Sequence, residues 1–452
     1  MTNSLPRPTG NDRLRELDRS VVWHAFSQMS DYDGLIIESA QGCWLTDIDG
    51  RRILDGASSM WCNLHGHRNP HIDDAIRRQL NQVAHVTNLG MSHSTTIELA
   101  ARLTQLAPSG LNHVFFAGDG ASAVEAAMKI AFQYWRQCEN PQPARTKFLA
   151  LGSAYHGDTL GAVSVGGVSQ FHSLFQPLLF PVVRGPLPDT YRLPAHVDLE
   201  GAAAFYLEQY RSLFEQLAHE LVAAIVEPMV QGAAGMIIHP PGFLSGLSDL
   251  CREFNCLLIA DEVAVGLGRT GMLFACEHES VVPDILCIGK GLTGGYLPMS
   301  ATLVTDRVWR AFLGGYEESR SFLHGHTYGG NPLCAAAAMA TLDLFVSNRT
   351  LETLTEKASY LSERLRSLRD HPMVGDVRQL GLMAAIELVA DKRTKLAFPW
   401  QERRAAHVCK RILESNVWLR PLGNVIPIIP PLAIEIEELD FLVRAIESGL
   451  DP

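Results

Sequence analysis

The sequence predicts an α/β protein: a large domain around a mostly parallel sheet, plus a smaller α/β domain drawn from both ends of the chain. Two observations predict it. Between about residues 70 and 310, short apolar runs alternate with amphipathic stretches, as expected of strands buried on both faces by helices. Beyond residue 331, and again before residue 60, shorter strand-like runs occur in more polar surroundings. The expected boundaries are 1–60 for an N-terminal part of the small domain, 61–330 for the large domain and 331–452 for the C-terminal part of the small domain.

Taken in order, the first expected strands are 43–46 and 52–55, joined by the turn residues Asp47, Asp49 and Gly50. The large domain supplies six apolar runs, at 113–117, 147–151, 223–227, 256–260, 285–288 and 300–304. After 113–117 the chain passes through Gly118, Asp119 and Gly120 into a helix. Val124, Ala127, Met128, Ala131, Phe132 and Trp135 recur at helical spacing along one face. Asn331 and Pro332 then open a long helix running to Phe345. Runs at 381–387 and 418–420 are the clearest strands of the C-terminal part.

With 452 residues, 47% hydrophobic and 19% charged, the chain has the size and balance of a soluble multidomain enzyme. The net charge is 38 − 49 = −11, which leaves no basic footprint for nucleic acid or an anionic membrane. Nine scattered cysteines suggest reduced thiols and a cytoplasmic location. We expect neither a signal peptide nor a membrane span, since no apolar stretch approaches ~18 residues.

The chemistry is most legible at Lys290. It follows the apolar run 285–288 and precedes a glycine-rich stretch. Asp261 ends an earlier apolar run, 290 − 261 = 29 residues upstream, enough for one strand-to-strand crossover. Two strand ends can thus bring a lysine and an aspartate to one site. That pair suits pyridoxal phosphate: the lysine condenses with its aldehyde, and the carboxylate keeps the ring nitrogen protonated. The turn at Gly120, Ala121 and Ser122 offers amides at a helix N-terminus, a phosphate site by geometry, though an ordinary strand–turn–helix connection explains the same residues equally well. Tyr155, just past the strand at 147–151, can stack on a planar ring, or serve as a core tyrosine. Arg420 can hold a carboxylate, or make a surface ion pair.

Three other patterns carry less. Gly266, Gly268 and Gly271 match G-x-G-x-x-G, but Asp261 and Glu262 separate them from the strand and no helix opening follows. A dinucleotide site is therefore rejected. His65/His67 and His324/His326 lie in glycine loops without a completing carboxylate, and Cys251 and Cys256 lack a second pair, so no metal is expected.

Together these motifs resemble the class III, subgroup II aminotransferases of the type I pyridoxal-phosphate fold, over residues 23 to about 432. The carrying segments are Trp23-His-Ala-Phe, Asp55-Gly-Ala-Ser-Ser-Met-Trp61, Leu64-His-Gly-His67, Tyr155-His-Gly-Asp-Thr159 and Glu227-Pro-Met-Val-Gln-Gly232. They continue through Leu258-Ile-Ala-Asp-Glu-Val-Ala264, Arg269-Thr-Gly, Gly289-Lys-Gly-Leu-Thr-Gly-Gly295 and His324-Gly-His-Thr-Tyr-Gly-Gly-Asn331. Ala264, where relatives acting on ornithine, acetylornithine or γ-aminobutyrate carry glutamine, points to the branch that aminates 8-amino-7-oxononanoate in biotin biosynthesis.

The resemblance implies a seven-stranded sheet and a homodimer with shared active sites. It implies Lys290, Asp261 and Tyr155 as catalytic residues. The cofactor would be held by Gly120, Ala121, Tyr155, Asp261, Val263, Lys290, His326 and Thr327, with Thr327 reaching the neighbouring subunit's phosphate. Met60, Trp61, Tyr155, Lys290, Gly325 and Arg420 would bind substrate, with Phe26 and Asp158 in the pocket. Asp119 stands where the family often has serine, so its carboxylate is expected to turn away from the phosphate and cap the helix. Met60 and Phe26 replace larger or hydroxylated aromatics, which leaves S-adenosylmethionine and lysine both open as amino donor. The rival readings are another class III ω-aminotransferase using a diamine or ω-amino acid, and a catalytically silent protein of the same fold.

Overall fold

The computed structural model describes residues 10–451. Near the N-terminus, β1 (Ile37–Gln41), β2 (Trp44–Asp47) and β3 (Arg52–Asp55) form an antiparallel meander. The large sheet begins with β4 (Leu111–Ala117), β5 (Lys147–Ala150), β6 (Val183–Arg184) and β7 (Leu221–Val226). A small hairpin follows, β8 (Val230–Gln231) and β9 (Ile237–Ile238). The sheet is completed by β10 (Leu257–Asp261), β11 (Ile285–Ile288) and β12 (Ser300–Thr305). The C-terminal strands are β13 (Val374–Leu380), β14 (Met383–Asp391), β15 (Leu396–Ala397), β16 (Val417–Trp418) and β17 (Val425–Ile428).

Seven strands form the central sheet in the order β4-β12-β11-β10-β7-β5-β6. All run the same way except β12, which is antiparallel to both neighbours. The sheet is sealed on both faces, so β7, β10 and β11 are buried along their whole length. Alternate residues divide between two cores. Leu257, Ile259 and Ile285 face the helix Gly120–Gln137, whereas Leu258, Ala260 and Leu286 face the helices Ala202–Leu217 and Phe243–Glu253. Trp135 anchors the first helix, donating from its indole nitrogen to the Val222 carbonyl at 2.7 Å.

Each expected large-domain strand is present within two residues of its expected ends. The edge strand β6 carried no signal, because only two residues flanked by prolines pair there. Two C-terminal strands differ. The run from 381 starts its strand only at Met383, since Gly381 turns the chain with φ +59°. The run at 418–420 pairs only through Trp418, ahead of Pro421. Phe132 departs from the expected helix face: it is 39% exposed, with the Arg136 guanidinium 3.6 Å from its ring centroid.

The two ends of the chain meet in one sheet, because β3 pairs in parallel with β16. The G-x-G-x-x-G segment has a packing role. Leu267, Gly268 and Gly271 all take positive φ, and a Cβ on Gly268 would lie 2.9 Å from Leu432. The segment lies against the turn between β13 and β14, where Leu382 N donates to Arg269 O at 3.0 Å. Two of the glycine-loop histidines have polar partners. His65 bonds the Thr341 carbonyl at 3.1 Å and His67 bonds Asp55 at 3.0 Å.

Gly381 is the tightest point of this junction. A Cβ there would sit 2.3 Å from the Thr270 carbonyl carbon, on a backbone with left-handed φ. Gly381→Ala is expected to lower unfolding stability by about 2–5 kcal/mol, the sum of a left-handed penalty and overpacking; urea denaturation measures it.

Candidate active site

The carboxyl ends of the parallel strands share one edge, the usual ligand edge of open α/β sheets. Asp261 ends β10, Glu227 follows β7, Lys290 follows β11, and Tyr155 lies in the loop after β5. The reversed β12 contributes from its start: Ser300 pairs with Ala117 and donates to Asp119 O at 2.6 Å.

Asp261 is buried and doubly held. One oxygen lies 2.7 Å from His156 Nδ1, and the other accepts from Val263 N at 3.0 Å. Lys290 opens a short helical turn with φ +42°. Its amine lies 5.0 Å from the centroid of the buried Trp61 ring and has no hydrogen-bond partner among the described residues. Burial pushes Lys290 below the ordinary lysine range, against the pull of Asp261 and Glu227. Tyr155 is half-buried, and its hydroxyl donates to Asp158 at 2.7 Å. Burial, then that carboxylate, pushes the phenol well above its usual range.

The phosphate-type turn has the expected form. Asp119 caps the helix Gly120–Gln137, accepting from Ser122 N and Ser122 Oγ at 2.9 Å each. Its carboxylate therefore turns onto its own helix. Gly120 must be glycine here, since a Cβ would lie 2.5 Å from Val263 Cγ1. Ala121 packs beside Gly157 in the loop that carries Tyr155.

At the mouth, Arg420 donates to the Phe26 carbonyl at 3.3 Å and lies 3.9 Å from the Met60 sulfur. It has no carboxylate partner among the described residues. Phe171, which the sequence did not single out, packs edge-on between Phe26 and Tyr155. Residues 58–61 all take positive φ, a left-handed turn that presents Met60 outward and Trp61 inward.

Among the described residues, Gly325, His326 and Thr327 make no side-chain hydrogen bond to this cluster. Their segment packs against β4 and the helix Gly120–Gln137, through Phe322 and His324 against Phe115 and Lys129. Thr327 and Gly325 are exposed. Sequence reasoning also gave no role to His156 or Glu227. His156 lay inside a quoted motif, and Glu227 ended an apolar strand as Asp261 does, which was the available signal.

The class-III aminotransferase family profile matches residues 26–450. This chain belongs to that family. The aminotransferase is 52% identical over 441 residues to the adenosylmethionine-8-amino-7-oxononanoate aminotransferase of Nitratidesulfovibrio vulgaris, covering 97% of this chain and 81% of that protein. It is 47% identical to the enzyme of the same name from Geobacter sulfurreducens, covering 97% of each. The crystal structure of the Methanocaldococcus jannaschii enzyme of that name superposes with a TM-score of 0.90 at 41% identity, covering 97% of this chain and 99% of that one. An (S)-enantioselective omega-transaminase from Thermomicrobium roseum superposes with a TM-score of 0.93 at 32% identity, covering 98% of each chain.

The aminotransferase uses pyridoxal phosphate, and its site fits that group: an unpartnered lysine amine, a buried carboxylate and a glycine-led helix N-terminus converge on one sheet edge. No helix among the described residues is long and apolar enough to cross a membrane.

His156 is the side-chain partner of the buried Asp261 carboxylate. His156→Leu removes that bond and is expected to cost about 1.5–3 kcal/mol, the range for hydrogen bonds to charged groups. Unfolding of the cofactor-free protein in urea reads it directly.

Proposed function

We propose that this enzyme transaminates 8-amino-7-oxononanoate to 7,8-diaminononanoate in biotin biosynthesis, with S-adenosylmethionine as the amino donor and lysine as the alternative. The observation that carries the reading is the unpaired Arg420 at the mouth, set beyond an apolar wall of Phe26, Met60 and Trp61. A keto acid with a long aliphatic chain needs that pairing of a remote cation and an apolar path. The names of the similar proteins support the same substrate and favour S-adenosylmethionine.

When bound, pyridoxal phosphate supplies an aldehyde for amine exchange and a ring that stores the electron pair left on the substrate carbon. In this reading Lys290 anchors it, and the Gly120 and Ala121 amides hold its phosphate. Asp261, oriented by His156, would hold the ring nitrogen, and Val263 and Tyr155 would pack against the ring. In each half-reaction Lys290 Nζ would take up and return the proton of the substrate carbon. Its lowered pKa favours the free base that this task needs. Asp158 fixes the Tyr155 hydroxyl, and Arg420 fixes the distal carboxylate.

The exposed Thr327, with His326 and Gly325, would serve the neighbouring subunit of a homodimer. Mixed dimers of Lys290→Ala and Thr327→Ala chains are expected to regain activity at one of their two sites, although each parent is inactive or impaired. Verified heterodimers with no gain would place each site within a single chain.

A second reading, an ω-aminotransferase acting on a diamine or ω-amino acid, is favoured by the likeness to the omega-transaminase structure. Half-reaction assays separate the two. Arg420→Ala is expected to weaken the keto-acid half-reaction by about 2–4 kcal/mol, the cost of unpairing a desolvated charge. Single-turnover amination of the enzyme by S-adenosylmethionine and by lysine identifies the donor. Turnover only with pyruvate and an ω-amino acid would establish the second reading instead.

A further inference from the structure

Glu227 is a buried carboxylate that none of the roles above uses. It leaves the end of β7 and is 4% exposed. Its two oxygens are spent on two different walls of the site. One accepts from Tyr155 N at 3.0 Å, and the other accepts from Gly232 N at 2.9 Å. Gly232 lies against the Trp61 ring, where a Cβ would be 3.2 Å from Cζ3, and that ring lies under the Lys290 amine. No arginine or lysine side chain bonds Glu227 among the described residues. The charged or titratable groups that bear on it are His156 and Asp261, and it pulls on Lys290 in turn.

The geometry points to Glu227 as a positioning residue for transamination: its carboxylate clamps the Tyr155 wall to the Trp61 wall, and its charge sets how readily Lys290 holds a proton. The inference rests on the reading that Lys290 and Tyr155 flank the cofactor. Burial pushes Glu227 up to about 7, so near neutral pH the group exists in both charge states. Ionised, it favours the Lys290 ammonium; protonated, it favours the free base. A Gln there carries no charge and so, like the protonated acid, favours the Lys290 free base at every pH, while its single carbonyl oxygen can serve only one of the two amides well.

Glu227→Gln and Glu227→Asp test this in the holoenzyme, with a titration of the cofactor-free protein alongside. Glu227→Gln is expected to lower kcat by about 10-fold or more while KM for both substrates moves little, as for an interaction felt mainly in the transition state. The acidic limb of the kcat profile, which reports loss of the Lys290 free base, should move to lower pH. Glu227→Asp keeps the charge but is one methylene shorter, so it should lose rate while retaining the wild-type limb. Infrared spectra of isotope-labelled apoenzyme should show a protonated glutamic acid carbonyl band that titrates near neutral pH and is missing from both variants. Wild-type kcat and an unshifted limb in Glu227→Gln would overturn the proposal. So would a Glu227 that stays ionised throughout the titration, a result that holds whatever Lys290 does and whether or not the Gln variant folds.

Discussion

The site depends on keeping a carboxylate inside a hydrophobic sheet. Asp261 ends a strand of wholly buried residues, and an isolated charge there would be expelled or neutralised. Two donors make it tenable, the His156 ring and the Val263 amide. Both come from the loops that wall the site, so the requirement to satisfy one carboxylate also fixes the loop bearing Tyr155 and the turn bearing Val263. Val263 in turn excludes any side chain from Gly120. The helix N-terminus therefore approaches the same point in space without a specific contact of its own.

The remaining architecture brings groups of opposite preference to that edge. Glu262, next in sequence, is also buried, but it accepts from Ala275 and Cys276 amides and takes no part in the site. Adjacent acids thus face opposite ways, one into the site and one into a structural turn. Arg269 does similar structural work, bonding the Asn63 and Pro430 carbonyls and so tying together segments far apart in the sequence.

Much of this was legible in the sequence because it is local. Buried parallel strands are continuous apolar runs, so their ends, and hence Asp261 and Lys290, can be read directly. The Asp119 cap follows from its position before a helix. What escaped was non-local or too short. β6 has two residues, and no pattern marks it. The reversal of β12 depends on which neighbour it pairs with, not on its own composition. Phe132 fits the helical period yet faces outward beside Arg136, because periodicity cannot distinguish the core face from its margin. His156 and Glu227 gain meaning only from partners 105 and 72 residues away. The N-terminal Phe26 carbonyl meeting Arg420 across 394 residues is of the same kind.

The pairing of β3 with β16 has a bearing on how the protein is made. Leu54 faces Val417, so one edge of the N-terminal meander stays open until nearly all of the chain has left the ribosome. An open strand edge is a template for wrong partners, and contacts of such long sequence separation form late and slowly. The central sheet can assemble during synthesis from neighbouring segments, whereas the mouth formed by Phe26, Met60 and Arg420 must wait for the last β-strands to emerge. Nascent chains stalled short of β16 would carry the sheet edge bearing Asp261 and Lys290 without the Arg420 mouth, with exposed apolar residues and a need for chaperone protection until release.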